Sequence, residues 1–139
     1  MSHRELRILQ LTKKFPFPLI DGESIAVHML AKGLSNVNCK ISLLSMNTSK
    51  QYAEFTGSED ALSHYEKIWT VDVDNRVTLT GALTNLFSKQ SYHLTRFYTD
   101  AFKEQLKTVL SSGDYDCIIM ESAFLGLYEP LIRLSLIHI

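Results

Sequence analysis

Ile8-Leu9-Gln10-Leu11, Thr12-Lys13-Lys14, Phe15-Pro16-Phe17-Pro18 and Asp21-Gly22-Glu23-Ser24, taken in that order, decide the fold. The first group is a short apolar run with turn chemistry behind it, and reads as a strand from Arg7 to Leu11. The aromatic-proline group is a stiff loop. The last group stands before an amphipathic stretch that runs to Leu34. Within that stretch Val27, Leu30, Ala31 and Leu34 fall at i, i+3, i+4 and i+7, which predicts one apolar helix face. Strand, long loop, glycine and helix N-terminus open an α/β sheet whose ligands gather at the carboxyl ends of the strands. A helix N-terminus favours negative charge, so the segment suits a phosphorylated or sugar-like ligand.

The same alternation continues downstream. The first helix is expected from Ser24 to Ser35, and a second strand from Lys40 to Met46. A polar loop covers residues 47–60. A third strand spans Lys67 to Val73, rich in β-branched and aromatic residues. Thr78 to Phe87 fits a short helix. Thr95 to Leu110 is a clearer one, with Tyr98, Phe102, Leu106 and Val109 at helical spacing and Gly113 as its stop. Cys117 to Met120 reads as a fourth strand. Phe124 to Arg133 begins another helix, with Pro130 tolerated only near its first turn. Strands alternating with helices imply right-handed crossovers. The expected fold class is α/β: a Rossmann-like parallel sheet with helices on both faces.

Composition narrows the function classes. A chain of 139 residues suits one domain with a real core. A net charge of -1 recommends neither nucleic acid nor a polybasic membrane anchor. Arg4, Glu5 and Arg7 interrupt any secretory leader, and no apolar run is long enough to cross a bilayer. Cys39 and Cys117 each begin an apolar run. Two such residues make no disulfide framework and are expected as buried, reduced thiols.

Several local strings together resemble the family-4 glycosyltransferases of the GT-B fold. They are Leu9 to Pro18 with Asp21-Gly22, Leu30-Ala31-Lys32-Gly33-Leu34, Met46-Asn47-Thr48-Ser49-Lys50, and Ser91-Tyr92 with Arg96-Phe97-Tyr98. Met120-Glu121-Ser122 and Tyr128 to Arg133 extend the likeness, which spans about residues 6 to 133. The resemblance implies a two-domain enzyme that transfers a sugar from a nucleotide-sugar donor with retention, without a metal or other cofactor. The N-terminal domain would hold a glycan or lipid-linked acceptor. The donor-binding domain and its paired glutamates are not among these residues. The implied process is cell-envelope or exopolysaccharide synthesis. The implied place is the cytoplasm, with peripheral contact at the inner membrane face left open. Rival readings are a stand-alone α/β binding or regulatory domain, and a sugar-nucleotide epimerase of GT-B architecture.

Leu134-Ser135-Leu136-Ile137-His138-Ile139 can be encoded by CTG TCT CTT ATA CAC ATC, a transposon end used as a library adapter. Residues 134–139 are therefore expected to be an adapter-derived tail on an incomplete domain of residues 1–133. In such a piece Ile118 and Ile119 would lie on an open apolar edge, an aggregation hazard.

Gly22 matches the glycine that the family places near donor phosphate and acceptor. Where the family often has a second glycine, this chain has Glu23, which would repel a phosphate. Asp21, Gly22, Glu23 and Ser24 form either a substrate-binding turn or a plain helix cap. Lys13 and Lys14 flank the loop and suit phosphate or acceptor contact, or simple solvation. Phe15 and Phe17 either stack on a sugar or anchor the loop. Glu121 and Ser122 leave the fourth strand at the cleft side, where a carboxylate binds sugar hydroxyls or caps the next helix. Asp72-Val73-Asp74 matches the metal motif of GT-A transferases, but Asp114-Tyr115-Asp116 matches it too, and the GT-B resemblance implies metal-free transfer. His28, His64 and His93 share no ligand spacing and read as helix-surface or loop histidines.

Overall fold

The computed structural model describes residues 4–49, 60–74, 79–87 and 96–136. Four strands, β1 (Leu6–Thr12), β2 (Cys39–Thr48), β3 (Tyr65–Val73) and β4 (Cys117–Met120), form one sheet in the order β3-β2-β1-β4. Every neighbouring pair is parallel. Around it stand helices α1 (Gly22–Ser35), α2 (Leu79–Asn85), α3 (Asp100–Ser112) and α4 (Glu129–Leu136), with 3-10 turns at Asp60–Leu62 and Ala123–Tyr128. The expected α/β class is present, and the fourth strand pairs with the first.

The two inner strands are buried on both faces, as parallel strands between helical layers must be. In β2 every residue from Ile41 to Thr48 is buried. Alternation along the strands sends side chains into two cores. Leu9, Leu11, Leu44 and Met46 meet Phe102, Leu106 and Val109 of α3, together with Leu125, Tyr128 and Ile132. On the other face Ile8, Ile41 and Leu43 pack with Phe15, Ala31, Leu62 and Tyr65. Phe15 and the half-buried Phe17 thus anchor the loop after β1.

Helix boundaries follow capping chemistry. Asp21 caps α1: its side chain accepts from Ser24 N–H, and the Asp21 N–H donates to Ser24 Oγ. That reciprocal box starts the helix two residues earlier than periodicity suggests. It also sets the helix phase. The buried face is Ser24, Val27, His28 and Ala31, while Leu30 is exposed. The apolar stripe read from spacing was therefore one position out of register at Leu30. Helix α3 starts later than the expected Thr95. Thr99 caps it, accepting from Phe102 N–H at 3.2 Å. The Tyr128 hydroxyl accepts from Thr99 N–H at 2.9 Å and donates to Phe97 O at 2.6 Å. Tyr98 falls outside the helix and stacks on Tyr128 at 4.9 Å.

Gly113 ends α3 in an extended conformation, not a left-handed one. Its lack of a side chain matters for another reason: a Cβ there would stand 3.0 Å from the Tyr115 ring. Asn38, with φ of 65°, makes the left-handed turn into β2, a conformation asparagine tolerates. Pro130 sits in the first turn of α4, where a missing N–H costs nothing, and the residues ahead of it form a 3-10 turn instead of α-helix.

The cysteines depart from expectation. Cys39 is half-buried and Cys117 is exposed, because each lies at the amino end of its strand. They pair with Leu6 and Ile8 on opposite sides of β1, two strand spacings apart across the sheet and two residues apart along it, so they stand roughly 12 Å apart and both are free. Strand β4 is one edge of the sheet. Ile118 and Ile119 are half-buried against the cores, and Met120 is exposed.

Candidate functional site

From β1 the chain steps to β2 and β3 on one side, then returns to β4 on the other. The direction reverses between β1 and β4. At such a reversal the connections leave the carboxyl ends in opposite directions and open a crevice, the usual ligand position in an open α/β sheet. One wall here is the Lys13–Asp21 loop with the start of α1. The other is Glu121-Ser122 and the turn that follows. The backbone joins them at the floor, where Glu121 N–H donates to Leu11 O at 3.0 Å. All eight candidate residues read from the sequence lie on these two walls.

Lys14 is not a solvated lysine. It is only 8% exposed and ion-pairs with Asp21 Oδ2. Asp21 thus holds the buried cation with one oxygen and the N-terminus of α1 with the other. These contacts, the Lys14 hydrogen bond foremost and the Ser24 N–H next, hold the Asp21 carboxyl down at about 2, against an ordinary 3.8. A lowered carboxylate stabilises the fold above its ordinary value and ceases to do so as pH falls through its folded value. We therefore expect wild type to melt above Asp21→Asn by a constant margin near neutrality. That margin should vanish between pH 3.8 and about 2, as read by circular dichroism melts.

Lys13 reaches across the crevice. Its Nζ lies 3.6 Å from Glu23 Oε2 on one wall and 4.7 Å from the centre of the Phe124 ring on the other. The Glu23 carboxylate is therefore answered by a lysine. Gly22 has no positive φ, and a Cβ there would meet nothing within 4 Å. Among the described residues nothing demands glycine at this position, and Gly22 is exposed. Ser122 caps the 3-10 turn, accepting from Phe124 N–H at 3.2 Å. That leaves Glu121 free of the capping role.

Glu121 instead joins a polar network that sequence reasoning missed. Gln10, buried in β1, donates through Nε2 to Glu121 Oε1 at 2.7 Å and to Val27 O at 3.3 Å. Its Oε1 accepts from the Tyr65 hydroxyl at 2.7 Å. Burial pushes the Tyr65 phenol well above its usual range, and the Glu121 charge adds to that effect. The hydroxyl therefore stays protonated and donating. The clue was present: Gln10 is the one polar residue inside Ile8 to Leu11. Nothing local marked Tyr65.

His28 needs correction. His28 lies on the buried face of α1, not on its surface, and its ring meets that of His64 edge-on at 4.8 Å. His28 Nδ1 and His64 Nε2 are buried without hydrogen-bond partners among the described residues. Burial lowers both from the ordinary histidine range; Lys32 adds to the effect on His28, and His28 followed by Lys32 to that on His64. His93 lies outside the described residues.

Neither Asp-x-Asp string joins the crevice. Asp116 sits at the amino edge of the sheet, accepting from Arg7 N–H at 2.9 Å and pairing with Arg4 at 2.6 Å. Asp72 is exposed on β3, and Asp74 accepts from Ser49 Oγ at 3.1 Å. Among the described residues no three His, Cys, Asp or Glu side chains converge as a metal site. A separate groove between α3 and α4 is lined by Leu110, Leu131 and Leu134 together with Lys107, Ser111 and Ser135.

The crevice therefore carries two lysines, each paired with a carboxylate, plus Glu121, the Gln10 network and one half-buried aromatic, Phe124. Carboxylates outnumber cations. That balance disfavours a naked phosphate and suits hydroxyl groups, which donate to carboxylates while ring faces cover C–H surfaces. Compared with known proteins, the chain matches no protein-family model, no curated protein and no solved structure.

Proposed function

We propose that this chain forms the acceptor-side wall of a retaining glycosyltransferase of GT-B architecture. In this reading a nucleotide sugar supplies the donor, and a glycan or lipid-linked acceptor lies in the crevice between β1 and β4. The observation that carries it is the pairing of both lysines with carboxylates at the sheet's reversal point, with Glu121 held by Gln10 on the facing wall. Glu121 and Glu23 would accept acceptor hydroxyls, and the open space at Gly22 would admit the sugar ring. Lys13 would shift from Glu23 to a bound oxygen without a large backbone change. The Lys14–Asp21 pair is a positioning element, fixing the loop and the start of α1. The process proposed with it is cell-envelope or exopolysaccharide assembly on the cytoplasmic side of a membrane.

Donor-binding groups of the kind this architecture requires are not among the 139 residues. The purified chain is accordingly expected to transfer no sugar from labelled nucleotide sugars to oligosaccharide acceptors. It should still give saturation-transfer NMR signals from an acceptor, reduced in Gly22→Ala at unchanged melting temperature. Robust turnover by the chain alone would contradict its role as one wall of a shared site. Acceptor signals indifferent to Gly22→Ala would contradict the position of the site.

A further inference from the structure

Gln10 is gripped by two residues that each stand next to a histidine. Its Nε2 donates to the carbonyl of Val27, the residue before His28, and its Oε1 accepts from Tyr65, the residue after His64. The two histidines then meet each other. Their rings lie edge-on at 4.8 Å, and the Tyr65 ring tilts over His64 at 4.3 Å. Three rings in contact thus join α1 to the start of β3, at the point where the Gln10 network is anchored.

That junction accepts neutral rings and resists a charged one. His28 is only 6% exposed, and its Nδ1 and the Nε2 of His64 are buried without partners among the described residues. An imidazolium carries two N–H donors and a full charge, and burying a charge without a partner is costlier than burying a neutral ring. Among the described residues no carboxylate bonds to either ring. Asp60, at the start of the 3-10 turn, is exposed, and Glu66 of β3 pairs with Arg7. Glu121 is engaged by Gln10, and β2 presents Ile41 and Leu43, which carry no charge. Burial foremost opposes protonation of both rings; the Lys32 charge adds to this at His28, and His28 followed by Lys32 at His64.

We propose that the His28–His64 contact is an acid-sensitive latch on the crevice: protonation of either ring parts α1 from the start of β3 and loosens the grip of Val27 and Tyr65 on Gln10, so that Glu121 loses its anchor. The consequence for acceptor binding rests on the transferase reading; the latch itself does not. The closed contact favours neutral rings, while parted rings return to the ordinary 6.5. Closure is therefore fully supported above pH 6.5 and loses support as pH falls below it. This window is separate from that of Asp21, which lies between pH 3.8 and about 2.

Hydrogen exchange on the whole chain at about pH 7.5 and about pH 5.5, corrected for intrinsic rates, tests the latch. Amides around His28 in α1 and at the start of β3 should lose protection at the lower pH. The expected loss is about tenfold if one ring takes up a proton on opening, and about a hundredfold if both do. Amides of Leu106 to Leu110 in α3 should keep theirs. The double variant His28→Gln, His64→Gln should show no such loss. Lys32→Glu, at an exposed position, should reduce it by about twofold or more, because it sets a carboxylate beside the rings. Equal protection at both pH values would overturn the proposal. So would an equal loss throughout the chain, α3 included, which would assign the titration to global unfolding. Where the double variant does not fold, Lys32→Glu decides, and an unchanged loss there overturns the latch as well. The experiment contains no acceptor, so its failure and the failure of the transferase reading are separately visible.

Discussion

Gln10→Leu is expected to lower unfolding free energy by about 2 kcal/mol, although it places an apolar residue in a buried strand. Gln10 is 1% exposed and satisfies three partners: the Tyr65 hydroxyl, Val27 O and Glu121. Leucine matches its bulk but makes none of these bonds. The Tyr65 hydroxyl would then be left in an apolar setting, and an unmet buried polar group costs more than a made bond contributes. Tyr65→Phe in the same background should recover part of the loss, because it removes the orphan. A double-mutant cycle in urea measures this coupling. Additive effects of the two substitutions would show that the network is not closed as described. Glu121 would also lose its anchor, so acceptor signals should weaken more than the stability change explains.

Phe102→Ala is expected to be the most damaging single truncation, at about 4 kcal/mol. Phe102 is fully buried in the larger core and lies 4.9 Å, ring to ring, from Tyr128. It follows the Thr99 cap, so removing it opens a cavity where α3, the turn after β4 and the sheet converge. With typical stabilities of about 5–15 kcal/mol, such a loss leaves the fold marginal. Urea unfolding with an unchanged slope would confirm a stability effect on an otherwise intact fold. A loss under about 1 kcal/mol would mean that α3 packs more loosely on the sheet than the structure shows.

Much of the architecture was legible because periodicity and turn chemistry agreed with each other. Strands at Arg7–Leu11 and Cys117–Met120, and the Gly113 stop, needed no long-range information. What escaped was decided by contacts distant in sequence. Thr99 became the α3 cap because Tyr128, nearly thirty residues on, binds its N–H. His28 turned inward because the Asp21–Ser24 box set the phase of α1, and His64 met it only through the fold. For the candidate site, the place of its residues in the fold was readable: the loop after β1 and the residues after β4 flank a reversal of strand order. Partnership was not. Lys14 with Asp21, Lys13 with Glu23 and Gln10 with Glu121 are choices made in three dimensions. They change the chemistry of the crevice from a phosphate trap to a polar, carboxylate-rich groove.

The most direct test of that groove is an amide chemical-shift titration of the isotope-labelled chain with a panel of oligosaccharide acceptors. A crevice that holds the acceptor gives saturable shifts confined to Lys13, Lys14, Asp21 to Ser24, Glu121, Ser122 and their immediate neighbours. Shifts centred on the amino edge around Asp116, or on the α3–α4 groove with the crevice silent, would contradict it.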